Sequence, residues 1–171
     1  MKAIVSIIMG STSDLPVMEK AAKFLDDMQV PFEMNALSAH RTPNEVEEFA
    51  REAEGRGLKV IIAGAGMAAA LPGVIAASTT LPVIGVPIKA SISMDGWDSM
   101  LSMIQMPPGI PVATVGMDNS TNAAILASQI IGVGDEDIMK KVIAYKANLE
   151  KKIEKANADL AEVKTWKFKT N

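Results

Sequence analysis

The chain has 171 residues, 49% apolar and 22% charged, the composition of one compact domain with a sizeable core rather than of a disordered chain. Its formal charge is -3, from 17 Lys and Arg against 20 Asp and Glu, and no basic cluster stands out, which argues against nucleic acid as a partner. With no cysteine and one histidine, disulfides, Cys-ligated zinc, iron–sulfur clusters, thiol nucleophiles and multi-His metal sites are excluded.

Met1-Lys2 leads straight into an apolar run that stops at Gly10, a strand pattern and not a secretory signal, so a cytoplasmic location is expected. Ala3 to Ile8 reads as a strand buried on both faces of a parallel sheet. Ser13 or Asp14 can cap the helix that follows, whose first turn tolerates Pro16. Phe32 to Leu37 is a weaker strand. The segment Ser38-Ala39-His40-Arg41-Thr42-Pro43 comes next, then a helix from Pro43 to about Arg56 with Val46, Phe49, Ala50 and Ala53 on one face.

Strands are also expected at Lys59 to Ala63, Pro82 to Val86 and Ile110 to Val115, with helices at about Met67 to Thr79 and Asn119 to Ile131. Val60 to Ala77 carries no charge, but its glycines, Pro72 and many alanines point to a strand, a turn and a buried helix rather than a membrane span. Strand–helix alternation with short loops predicts a three-layer α/β/α sandwich around a five-stranded parallel sheet with right-handed crossovers. This catalytic domain is assigned residues 1–134.

Residues 135–171 form a C-terminal extension. From Asp135 to about Val163, Ile138, Val142, Tyr145, Leu149, Ile153, Ala156 and Leu160 recur at spacings of three and four, a stripe along one long helix. A helix of that length overhangs the domain, so its stripe is expected to pack on another copy of the chain. The alternative is a helix folded back over its own sheet.

Ligands of open α/β sheets bind outside the carboxyl ends of the strands. After the first strand, Gly10-Ser11-Thr12-Ser13-Asp14 sets hydroxyls and free N–H groups at a helix start, which suits a phosphate monoester, although Ser and Asp are also ordinary caps. The segment lacks the P-loop lysine and the dinucleotide glycine spacing. His40 follows the second strand. A lone histidine is more often structural, but this loop should lie beside the Gly10 loop, where an imidazole can exchange protons near neutral pH and Arg41 can hold an anion. Small residues at Ala63-Gly64-Ala65-Gly66 either let backbone N–H groups approach a ligand or serve tight packing. Residues 88–99 read as a long loop and a candidate lid.

Taken in order from about Ala3 to Tyr145, Gly-Ser-Thr-Ser-Asp at 10–14, Ser-Ala-His-Arg-Thr-Pro at 38–43, Ala-Gly-Ala-Gly at 63–66, Leu-Pro-Gly at 71–73, Leu-Pro-Val-Ile-Gly-Val-Pro at 81–87, Asp-Gly-Trp-Asp-Ser at 95–99 and Gln-Met-Pro-Pro-Gly-Ile-Pro-Val-Ala-Thr-Val at 105–115 resemble the N5-carboxyaminoimidazole ribonucleotide mutases of purine biosynthesis. The resemblance implies a flavodoxin-like fold, a homo-oligomer that is an octamer, a ribonucleotide substrate, and no metal or organic cofactor. It implies that the 5′-phosphate sits on Ser11, Ser13 and Arg41, with Asp14 on the ribose. Backbone at Ser38-Ala39 and Ala65-Gly66 would hold base and carboxylate, with Leu71 in the substrate-binding set, and His40 would be the acid/base. The family usually has His where this chain has Ala70; the related carboxylases that use free CO2 also lack that His but commonly carry Lys after the catalytic His, where Arg41 follows the mutase pattern, so a carboxylase is the alternative reading. A flavin carrier of the same fold would want stacked aromatics, of which only Trp97 is near that sheet edge.

Overall fold

The computed structural model describes residues 2–166; Met1 and the last five residues of the C-terminal extension, 167–171, lie outside it. Five parallel strands, β1 (Val5–Met9), β2 (Phe32–Ala36), β3 (Val60–Gly66), β4 (Val83–Ile88) and β5 (Ala113–Thr114), stand in the order β2-β1-β3-β4-β5. Every residue of β1 and β4 is buried, as a sheet covered on both faces requires. The fold is the α/β sandwich that the alternation predicts, in the flavodoxin-like strand order that the resemblance implies.

Side chains alternate between the layers. Val5, Ile7 and Met9 point with Ile62, Ile84 and Val86 into a core closed by α1 (Leu15–Asp27) and α5 (Ser120–Gly132). Ile8, Ile61 and Ala63 face the opposite core, closed by Val46 and Ala50 of α2 (Pro43–Glu52), Leu71 and Ile75 of α3 (Leu71–Ser78) and Met103 of α4 (Trp97–Ile104). The uncharged stretch from Val60 resolves into β3, a turn and α3. No helix among the described residues is long and apolar enough to cross a membrane.

Several elements depart from their sequence-based bounds: α2 ends at Glu52 rather than near Arg56, α3 starts at Leu71 rather than near Met67, and β3 runs on to Gly66. Residues 88–99 are not one loop, because α4 starts at Trp97; Gly96 precedes it at φ 84°, in the left-handed region glycine favours. β5 is two residues rather than six, pairing Ile84 with Ala113 and Gly85 with Thr114. Pro111 has no N–H to donate, so this edge strand cannot extend backward through it. The long helix α6 (Glu136–Ala161) begins at an Asp135 side-chain cap and divides in two. Ile138 and Val142 are buried, and Tyr145 meets Phe24 of α1 edge-on at 5.0 Å between ring centroids. From Lys146 to Trp166 every residue is exposed, Ile153 by 65%.

Candidate active site

Strand order sets where the site lies. From β1 the chain moves outward to β2, then returns to the other side of β1 as β3, so the loops leaving β1 and β3 diverge and open a crevice at the carboxyl ends. That crevice is an open cleft with an enclosed volume of about 120 Å³, smaller than the ~300–1,000 Å³ typical of closed small-molecule sites. Its walls include Ser11, Ser13, Asp14, Ser38, Ala39, His40, Arg41, Ala65, Gly66 and Leu71, so all ten residues singled out from the sequence meet in one place. Gly10, Met67, Ala69, Ala70 and Ala90 complete the lining.

On the β1 side, Ser11 caps a 3-10 turn over Thr12–Asp14 by accepting from the Ser13 N–H at 3.3 Å. Asp14, 8% exposed, makes no side-chain cap for α1. Desolvation by burial raises its carboxyl above the ordinary value of 3.8, against the opposing pull of a Ser11 backbone hydrogen bond and the Arg41 charge. A buried carboxylate that gives up the usual capping bond is available to a ligand's hydroxyl groups.

On the β2 side, Arg41 Nη2 donates to the Gly10 carbonyl at 2.8 Å and its Nε to Ser38 Oγ at 3.2 Å. The guanidinium is thereby held between the first two loops, with the N–H groups it has left open to an anion. His40 is exposed at the same rim, and its imidazole has no hydrogen-bond partner among the described residues.

The glycines after β3 serve two different ends. A Cβ on Gly64 would collide with the Met18 sulfur and crowd Ile88, so this position is dictated by core packing. Gly66 lines the cleft, with Ala90 and the Ile88 carbonyl close behind it. Beyond it Met67 and Ala69 take φ of 54° and 44°, left-handed values that cost a side-chain-bearing residue energy. The turn is held by the Ala69 N–H to the Gly66 carbonyl at 3.1 Å and by Ser102 of α4, whose hydroxyl donates to the Ala68 carbonyl.

Sequence reasoning gave Met67 no role and did not single out Ala90; nothing in a lone Met or Ala betrays a cleft position before the turn geometry is known. Trp97 is not part of the lining, so the aromatic stacking a flavin needs is not offered here. Among the described residues no group of three or more His, Asp or Glu side chains is placed to hold a metal ion.

Residues 4–152 match the family model described as AIR carboxylase. The chain is 53% identical over 162 residues to the N5-carboxyaminoimidazole ribonucleotide mutase of Pyrococcus horikoshii, covering 95% of this chain and 91% of that protein. It is 50% identical over 167 residues to the phosphoribosylaminoimidazole carboxylase of Candida glabrata, of which it spans 29%. The crystal structure of Treponema denticola PurE superposes with a TM-score of 0.80 at 31% identity, over 91% of this chain and 97% of that one. The chain belongs to the AIR carboxylase family.

Proposed function

We propose that the chain is a mutase that converts N5-carboxyaminoimidazole ribonucleotide to 4-carboxy-5-aminoimidazole ribonucleotide. The observation that carries this reading is the convergence of the lone imidazole, a buried carboxylate, two serines and a tethered guanidinium on one cleft backed by Ala65 and Gly66. The anionic phosphate takes Ser11, Ser13 and Arg41, where hydroxyls and a guanidinium satisfy its oxygens. Asp14 accepts from the ribose hydroxyls, and backbone at Ser38-Ala39 and Ala65-Gly66 frames the base and its carboxylate beside Leu71.

A carbamate breaks its N–C bond when the nitrogen gains a proton. Protonated His40 supplies that proton, leaving the amine and CO2. The electron-rich ring carbon C4 then attacks the CO2 carbon, and neutral His40 takes the C4 proton to restore aromaticity. One proton leaves the imidazole and one returns, so a single histidine suffices. The step succeeds only while CO2 stays in place, which a small, water-poor pocket favours. We also read the chain as a cytoplasmic homo-oligomer, in line with an octamer assembled through the exposed distal stripe of α6.

The second reading, a carboxylase that acts on aminoimidazole ribonucleotide with free CO2, is favoured by one residue: Ala70 leaves the cleft wall without the histidine usual there. Parallel turnover assays separate the two. Faster reaction of the carbamate substrate supports the mutase, and faster reaction of aminoimidazole ribonucleotide with a few millimolar bicarbonate overturns it.

A further inference from the structure

We propose that Thr42 is the positioning residue for His40, an assignment that rests on the acid/base reading above. Catalysis by a proton shuttle requires the imidazole within hydrogen-bond reach of the atoms it serves. His40 is exposed and its ring makes no hydrogen bond to any of the described residues. Its location therefore depends on the backbone of the turn that carries it.

That turn is closed at its two ends by one hydroxyl. Thr42 Oγ1 accepts from the Ser38 N–H at 3.0 Å and donates to the Ser38 carbonyl at 3.1 Å. The Thr42 N–H donates to the same carbonyl at 2.8 Å, and the Arg41 N–H approaches it at 3.2 Å. His40 sits inside this loop, so both backbone polar groups of Ser38 and both donors of Thr42 converge to fix the peptide on either side of it.

Thr42 occupies the N-cap position of α2, where a threonine ordinarily turns its oxygen to the free N–H groups of the first helical turn. Here it makes no such bond, with φ -134° and ψ 57°. The hydroxyl is directed back to Ser38 instead. Helix capping therefore does not account for a threonine at this position, whereas closure of the His40 turn does. Valine has the same shape without the hydroxyl, and serine keeps the hydroxyl without the methyl group.

The test uses the full chain and four variants: Thr42→Val, Thr42→Ser, His40→Asn and the double variant T42V/H40N. Because the chain has one histidine, imidazole NMR signals report on this ring alone. Loosening a catalytic group by about 1 Å can cost on the order of 10²-fold, so T42V is expected to lose roughly tenfold or more in kcat, with a smaller rise in KM because Ser38 and Arg41 share the turn. Its ring signals should shift or broaden, T42S should recover both properties, and T42V should cost nothing further in the H40N background. If valine is not tolerated by the fold, Thr42→Ala compared with T42S makes the same contrast. Wild-type kcat and ring signals in T42V would overturn the assignment, as would an equal loss when T42V is added to H40N. Full turnover in H40N would instead defeat the acid/base reading, a result distinguishable from any failure at Thr42.

Discussion

Arg41 reaches across 31 positions of sequence to donate to the carbonyl of Gly10 at 2.8 Å, joining the loop after β1 to the loop after β2 across the cleft. The planar guanidinium makes this bond and the one to Ser38 Oγ together. A lysine ammonium has neither the fork nor the reach of two fixed donors. Arg41→Lys should therefore raise KM by roughly tenfold or more, equivalent to about 1.4 kcal/mol of binding, with little effect on Tm because the residue is exposed. Steady-state kinetics with thermal melts check this; unchanged KM would confine Arg41 to bridging the loops.

His40→Asn keeps a polar side chain of similar reach and removes proton exchange, a contribution of typically 10²–10⁴-fold. The ring is exposed and bonds to none of the described residues, so the melting temperature should not move. Turnover above a tenth of wild type would show that another group carries the proton.

Asp14 couples binding to stability with opposite signs. Its carboxyl is raised by burial, so the fold favours the protonated form and bears a cost once the group ionises. That contribution is fully present below the ordinary value of 3.8 and is lost as pH rises through the elevated folded value. Asp14→Asn removes the ionisation. The variant should melt at a higher temperature than wild type at pH 7, with the gain disappearing as pH falls below 3.8, while its substrate affinity is reduced. Melting curves against pH, paired with KM at pH 7, test both halves. A lower Tm at pH 7 would mean that the ionised carboxylate contributes to holding the fold.

How much of this was legible in the sequence varies with how local each cause is. The buried strands announced themselves, because β-branched runs such as Val5 to Ile8 have no other comfortable home than a covered sheet. All ten site residues converged because parallel βα units put their loops at one edge. Helix α4 was not legible: Trp97, Leu101 and Ile104 form a stripe at helical spacing, but that stripe is exposed, and the inward positions are Ser99 and Met103. The division of α6 was equally hidden. Its apolar repeat continues unchanged past Tyr145, and only the extent of α1 and α5 beneath it decides where its own subunit stops.

Gly64 separates packing from ligand approach. An added Cβ there meets the Met18 sulfur and Ile88 in a close-packed interior, so Gly64→Ala should cost about 1–3 kcal/mol by overpacking. Met18 is flexible enough to give way in part. Denaturant melts should show the loss while KM of the folded protein stays near wild type. A tenfold rise in KM with unchanged stability would place Gly64 at the ligand instead.

Two truncations of α6 distinguish the part that belongs to the fold from the part available to a neighbour. Ending the chain after Gly134 removes Ile138 and Val142, both buried, and the Tyr145 ring that meets Phe24. Each buried aliphatic contributes about 1.5–3 kcal/mol, so the loss is a large fraction of the ~5–15 kcal/mol that holds a typical domain together. That variant should melt far below wild type. Ending after Lys146 spares all three contacts and removes only the exposed distal turns, with Leu149 and Ile153 among them. It should fold with a near-normal Tm. If the distal stripe joins subunits, its mass by light scattering should fall to a smaller species, because nothing then covers the partner's matching surface. Full oligomeric mass in the Lys146 truncation would move the assembly contacts elsewhere on the sandwich and leave the overhang without a structural part in it.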